Sequence, residues 1–165
     1  APAAIVHNAG MTRDALHIHQ TARDWQDVLT NNLVALVNWN RTLLPAMMMQ
    51  GSGAVVLMSS VTAIKGNSGQ TAYAASKAAM IGLTRSLAQE MGRFGIRVNC
   101  LAPGLIEGEM VEAIPEARLK AMRQSIPLRR LGQTQDVAHA VAFLAGEGSR
   151  YLTGQTLVLD GGLSA

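Results

Sequence analysis

Ala54-Val-Val-Leu-Met-Ser-Ser60, then Thr71-Ala-Tyr-Ala-Ala-Ser-Lys77 running on to Met91, then Ile96-Arg-Val-Asn-Cys-Leu101 is the stretch that decides the fold. The run Ala54–Met58 is short, apolar and β-branched, as expected of a strand buried on both faces. Thr71 to Met91 predicts a long helix that stops near Gly92, and Ile96 to Leu101 a further strand. Outward from this centre the alternation continues. Ala3–Val6 reads as a strand entering a loop at Asn8-Ala-Gly10, Gln135–Ala145 as a helix, and Thr156–Leu159 as a last strand. Thr21 to Gln50 is mostly helical, capped by Thr21 with Asp24 three residues on. Asn31-Asn32 predicts a break or bend in it, Pro45 a kink, and Gly51-Ser-Gly53 a turn. Strand–helix alternation of this kind implies an α/β fold: a parallel sheet with helices on both faces.

Composition sets the outer bounds. The 165 residues are 48% hydrophobic, enough to bury one core, and residues 1–165 are read as a single domain. Aromatics make up only 4%, so aliphatic packing must dominate. The single Cys100 excludes an internal disulfide and, lying in an apolar run, reads as a buried structural thiol. A net charge of +3 comes with only 15% charged residues, scattered without aromatic interleaving, which argues against a nucleic-acid partner. No apolar run approaches the roughly 18–20 residues of a membrane span and no signal peptide is visible, so a soluble, cytoplasmic chain is expected. His17, His19 and His139 lack ligand spacing, and no metal is expected.

The chemistry concentrates on Tyr73 and Lys77. Four apart on a helix, they share one face. A free tyrosine holds its proton to about pH 10. A lysine ammonium one turn away favours the phenolate and is expected to lower that pKa toward the working range. Ser60, thirteen residues before Tyr73, offers a hydroxyl to hold a carbonyl oxygen while the tyrosine gives or takes its proton. Such a set interconverts a ketone and an alcohol when something else supplies hydride. Ser59 reads as a structural neighbour.

The set resembles that of the short-chain dehydrogenases/reductases, which combine Ser with Tyr-x-x-x-Lys and an upstream Asn. His7-Asn8-Ala9-Gly10 is similar to the family's Asn-Asn-Ala-Gly element, and Asn32 falls where the family keeps its fourth catalytic residue. Asn99-Cys-Leu-Ala-Pro103-Gly104 resembles the stretch ending in the cofactor-side Pro-Gly, and Leu152 to Gly162 the C-terminal strand and glycine pair. Within the family the likeness is greatest to the 3-oxoacyl-[acyl-carrier-protein] reductases, through Gly10-Met-Thr-Arg-Asp14, Gly66-Asn-Ser-Gly-Gln70 and Arg130-Leu-Gly132.

The resemblance implies the C-terminal part of a Rossmann-like doubly wound sheet. It implies NAD(P)H-dependent reduction of a 3-oxoacyl thioester, on acyl carrier protein or CoA, with NADP(H) expected over NAD(H). Asn32, Ser60, Tyr73 and Lys77 would be catalytic: Tyr73 the acid, Ser60 a stabiliser of the oxygen, and Lys77 a holder of the nicotinamide ribose. Asn32 would position a water that replenishes the proton. Asn8, Ala9, Gly10, Pro103, Gly104 and Ile106, with Tyr73 and Lys77, would face the cofactor. Residues 107–130 would form a substrate lid, with Met110, Ile114 and Met122 as candidates for an acyl path or for packing. A homo-oligomer, dimer or tetramer, is implied, with Leu33, Val37, Leu83 and Leu87 on helix faces that pair.

Departures from the pattern are visible too. His7 replaces an Asn and reads as a structural hydrogen-bonding residue. Gly108 stands where the family often has Thr, and few charges surround Gly51 and Phe94, where an acidic carrier would dock. The glycine-rich phosphate loop is missing, so roughly 80 residues of the first half of the fold are expected to precede Ala1 in a complete enzyme. Without them Ala3–Val6 would be a sheet edge. Two alternatives stand beside the 3-oxoacyl reading: a dehydrogenase for another alcohol or ketone, and a non-catalytic fragment persisting as an oligomerisation module.

Overall fold

The computed structural model describes residues 1–108, 111 and 114–165. Four strands lie side by side in chain order, all parallel: β1 (Ala4–His7), β2 (Gly53–Met58), β3 (Ile96–Pro103) and β4 (Thr156–Leu159). Val55 stands opposite Ile5 on one side and Val98 on the other, and Cys100 opposite Thr156. The connections are helical, because parallel neighbours need a crossover. Between β1 and β2 run α1 (Ala22–Leu29), a π turn (Thr30–Val34) and α2 (Ala35–Gln50). Between β2 and β3 run α3 (Thr62–Lys65) and α4 (Thr71–Met91); between β3 and β4, α5 (Glu116–Ser125) and α6 (Thr134–Ala145).

Alternation along β2 sends its side chains to two separate cores. Val55 and Leu57 join Ile5, Val98 and Cys100 beneath α2 and α4, against Leu36, Leu44, Met47, Met80 and Leu87. Val56 and Met58, with Leu101, meet Leu144, Val137 and Val141 of α6 on the other face. Burying a side chain such as Leu57 completely contributes about 1.5–3 kcal/mol. The expected sheet with helices on both faces is therefore present, and the aliphatic side chains do most of the packing. Leu87 departs from its expected place on a pairing face: it lies in the core under α4 with Leu33 and Leu83 packed beside it, while Val37 is 38% exposed. A stripe at helical spacing cannot by itself distinguish the face toward the sheet from one toward a partner.

The sequence signals for element ends hold closely. Thr21 and Asp24 form a reciprocal capping box, the Thr21 amide donating to Asp24 and the Asp24 amide to Thr21 Oγ1. The interruption at Asn31-Asn32 is the π turn, and α2 continues through Pro45 to Gly51, whose left-handed backbone (φ 74°) ends it. Sequence reading gave no role to Arg97. Its guanidinium donates to the carbonyls of Leu144, Ala145 and Gly146 and so closes the C-terminus of α6 from the sheet. Asn99, buried beside it in sequence, donates to Leu152 O and accepts from Gln155 N, which holds the approach to β4. Cys100 is buried, and burial raises its thiol pKa. Among the described residues β1 pairs with β2 alone, and Val6 is 42% exposed, so β1 is a sheet edge. No helix of the described residues is long and apolar enough to cross a membrane.

Candidate active site

The carboxyl ends of the strands collect the residues that the motifs single out, which is where open parallel sheets place ligands. Ser60 follows β2, and its loop is tied to the end of β3 by the Ser59 amide on Leu101 O (2.8 Å) and the Val61 amide on Pro103 O (2.8 Å). Ser60 Oγ accepts the Thr62 amide at 3.1 Å, which orients the hydroxyl and leaves its proton free to donate. Ser59, as expected, is structural: it donates to the Lys77 carbonyl at 2.8 Å.

Tyr73 and Lys77 occupy the first two turns of α4. Lys77 is almost fully buried and its Nζ donates to Met58 O at 2.6 Å, 5.6 Å from the Tyr73 ring centroid. Burial pulls the lysine pKa down to about 8, since a desolvated ammonium is costly. Tyr73 corrects one expectation. Its pKa is raised, not lowered, chiefly by burial; the nearby Ser60 hydroxyl opposes that and the Asp14 charge adds to it. The ammonium one turn away faces a backbone carbonyl, and proximity in sequence did not translate into stabilisation of the phenolate.

Asn32 sits in the π turn, buried, with its side chain committed to structure. Its Oδ1 accepts the Met11 amide at 2.7 Å, and its Nδ2 donates to Met11 O and to Ser76 Oγ, both at 2.9 Å. A single insertion in the helical winding rotates this residue toward the loop after β1, as π turns at functional sites do. Gly10 lies close by: a Cβ there would stand 3.2 Å from Lys77 Nζ and 3.5 Å from Asn32 Oδ1. Asn8 and Ala9 are exposed beside it. Asn32, Lys77 and Gly10 thus converge, while the Ser60 hydroxyl opposes the rise that burial imposes on the Tyr73 pKa.

Pro103, Gly104 and Ile106 form a second flank. A Cβ on Gly104 would fall 2.7 Å from Asp160 Cβ, so glycine is required where this loop crosses the end of β4. Ile106 bridges to Gly132, and a cavity of about 100 Å³ lies between that bridge, Leu128, Arg130, Asp136 and Asp160. Within the expected lid, Ile114 packs with Leu119, Ile126 and Leu131; Glu109, Met110, Glu112 and Ala113 lie outside the described residues. Ser76, bonded to Asn32 and to the Tyr73 carbonyl, is the neighbour of these residues that sequence reading passed over. The signal available was a serine inside a helix, a position that favours bonding back to a carbonyl one turn earlier.

His7 makes the structural hydrogen bond expected of it, Nε2 donating to buried Asn40 Oδ1 at 2.7 Å. Burial lowers its pKa below 6.5. The unfolded chain therefore binds more protons below that value, and stability should be lost as pH falls from 6.5 through the lower folded value. His7→Gln should flatten this acid limb in urea unfolding measured across pH 5–7.

The family model described as enoyl-(acyl carrier protein) reductase matches residues 3–164. The chain belongs to the short-chain dehydrogenase/reductase family. Among curated relatives, it is 45% identical to the 3-oxoacyl-[acyl-carrier-protein] reductase FabG of Thermotoga maritima over 159 residues, 96% of this chain and 65% of that one. It is 44% identical to nodulation protein G of a Rhizobium species, over 97% of this chain and 65% of that one. The FabG of Chlamydia trachomatis is 40% identical over 97% of this chain and 64% of its own. The chain thus spans just under two thirds of the length of these relatives.

Proposed function

We propose that this chain carries the proton-transfer half of an NADPH-dependent reductase that converts a 3-oxoacyl thioester, on acyl carrier protein or CoA, into the 3-hydroxyacyl thioester. The observation that carries the reading is the convergence of Lys77, Asn32 and Gly10 at the carboxyl edge of the sheet, with Tyr73 one turn before Lys77 on α4 and Ser60 in the loop after β2. The preference for NADPH over NADH rests on the likeness to 3-oxoacyl reductases alone.

The residues present fit the nicotinamide–ribose end of such a cofactor. Lys77 offers ammonium donors next to the backbone of Gly10, a position where a side chain would press on Nζ at 3.2 Å. The exposed Asn8–Gly10 loop carries that point, and the Pro103–Ile106 loop, tied through Pro103 O to the Val61 amide beside Ser60, lies at the same carboxyl edge of the sheet. When bound, the nicotinamide supplies the hydride that reaches the keto carbon. Tyr73 gives its proton to the oxygen as charge builds there, and its raised pKa keeps the phenol protonated, ready to act as the acid. Ser60 donates to the same oxygen, a hydrogen bond that strengthens as the alkoxide develops. Lys77, its pKa drawn down to about 8 by burial and its Nζ held on Met58 O, presents its ammonium beside Gly10, where the nicotinamide ribose would lie. Asn32 acts through the position of the Met11 segment. Of the substrate lid proposed for the acyl chain, the described part packs Leu119 and Ile126 into one apolar cluster.

The test is oxidation of NADPH by the protein expressed from its whole coding sequence, given a 3-oxoacyl thioester and, for comparison, an enoyl thioester and simple ketones. Turnover with the 3-oxoacyl compound is expected, declining as pH rises past about 8, where Lys77 loses its charge. Turnover with simple ketones only would replace the substrate assignment, and none with any compound would leave the non-catalytic reading.

A further inference from the structure

Ser76 is fully buried and holds two hydrogen bonds, one within α4 and one to the π turn. Its hydroxyl donates to Tyr73 O at 2.7 Å, inside the first turns of α4. It accepts Asn32 Nδ2 at 2.9 Å, from the π turn. The same Asn32 amide grips Met11 through both its amide and its carbonyl. Ser76 thus links the tyrosine-bearing turn to the loop after β1, the loop whose Gly10 passes over Lys77. We infer that Ser76 is a positioning residue: it sets where Tyr73 and Lys77 stand against the Gly10–Met11 segment, acting through Asn32 and touching neither substrate nor cofactor.

The geometry gives a reason to expect more than local support. Without the hydroxyl, one of the two Asn32 amide hydrogens loses its acceptor in a buried place, where an unpaired donor is costly. The amide must then rotate or admit water, and either releases Met11. A loosened Gly10–Met11 segment no longer holds its place over Lys77, whose ammonium lies 5.6 Å from the centre of the Tyr73 ring, and so opens that neighbourhood to solvent. The inference rests on Tyr73 as the proton donor, so its test needs a reading independent of turnover.

Ionisation of Tyr73 provides one. Ultraviolet titration of the phenolate, taken as the difference between the protein expressed from its whole coding sequence and its Tyr73→Phe variant, isolates this group. Tyr151, fully exposed, cancels in the difference. With Ser76→Ala the Tyr73 step is expected to move by about 0.5 toward lower pH, as hydration relieves the burial that raised it. Ser76→Cys, which keeps the volume and bonds weakly, should move it the same way if the alanine variant folds poorly. Ser76→Thr retains the hydroxyl and should restore the original step. In the reductase assay the alanine variant should lose about tenfold in kcat with little change in KM for the thioester. A Tyr73 step unmoved in both the alanine and cysteine variants overturns the inference, whatever happens to turnover. A moved step in an enzyme with no reductase activity overturns the proposed reaction and leaves the positioning role standing.

Discussion

Tyr73→Phe should lower turnover with a 3-oxoacyl thioester by about a thousandfold while leaving NADPH affinity within about twofold. The phenol is the proposed proton donor, and on that scale losing its hydroxyl corresponds to about 4 kcal/mol of transition-state stabilisation. The aromatic ring stays, so the packing around it and the Lys77 bond to Met58 O should persist. The discriminating measurement pairs steady-state kinetics with cofactor titration by fluorescence. Retained turnover would remove Tyr73 from the proton-donor role; turnover and cofactor affinity lost together would point to a collapsed site. The raised phenol pKa adds a sign. Tyr73 remains an acid throughout the neutral range, which suits reduction, and the reverse oxidation should accelerate as pH rises toward its ionisation.

The largest effect on stability should come from Gly95→Ala, a change of one methyl group far from the site. Gly95 has φ 69°, and a Cβ there would stand 2.3 Å from the Gly51 carbonyl oxygen. That oxygen belongs to the turn ending α2, where Gly51 is itself left-handed, so backbone meets backbone and neither side can yield as a flexible side chain would. The strained conformation and the forced separation together should cost at least about 3 kcal/mol. For a chain of this size that is a fall of roughly 10 °C in the melting midpoint. Gly82→Ala is the control. Gly82 lies in α4 with open space at its Cβ, so alanine there should stabilise by about 0.5–1 kcal/mol. Denaturant midpoints for the two variants should move in opposite directions, and a tolerated Gly95→Ala would mean that the two turns do not abut as described.

These two changes mark the division between what is legible in the chain and what is not. Periodicity and capping determine the elements, because they are local: the run Ala54–Met58 can only be a strand with both faces covered, and Thr21 with Asp24 starts a helix wherever it lies. Tyr73, Lys77 and Ser60 are likewise visible, since their chemistry is carried by residue type and spacing. The contact of Gly95 with Gly51 is not visible, because it arises where the turns after two long helices cross. Nor is the direction of the Tyr73 pKa, which depends on how deeply the phenol is buried and on the Met58 carbonyl that engages Lys77. Leu87 shows the same boundary in packing: its helical spacing announces an apolar face, but only the sheet beneath α4 makes that face the core. The residue types and their order along the chain determined the strands, the helices and the candidate chemistry. The tertiary structure alone decided burial, close approach and the partners of Asn32 and Ser76, because those depend on segments tens of residues apart being pressed into the same dry volume.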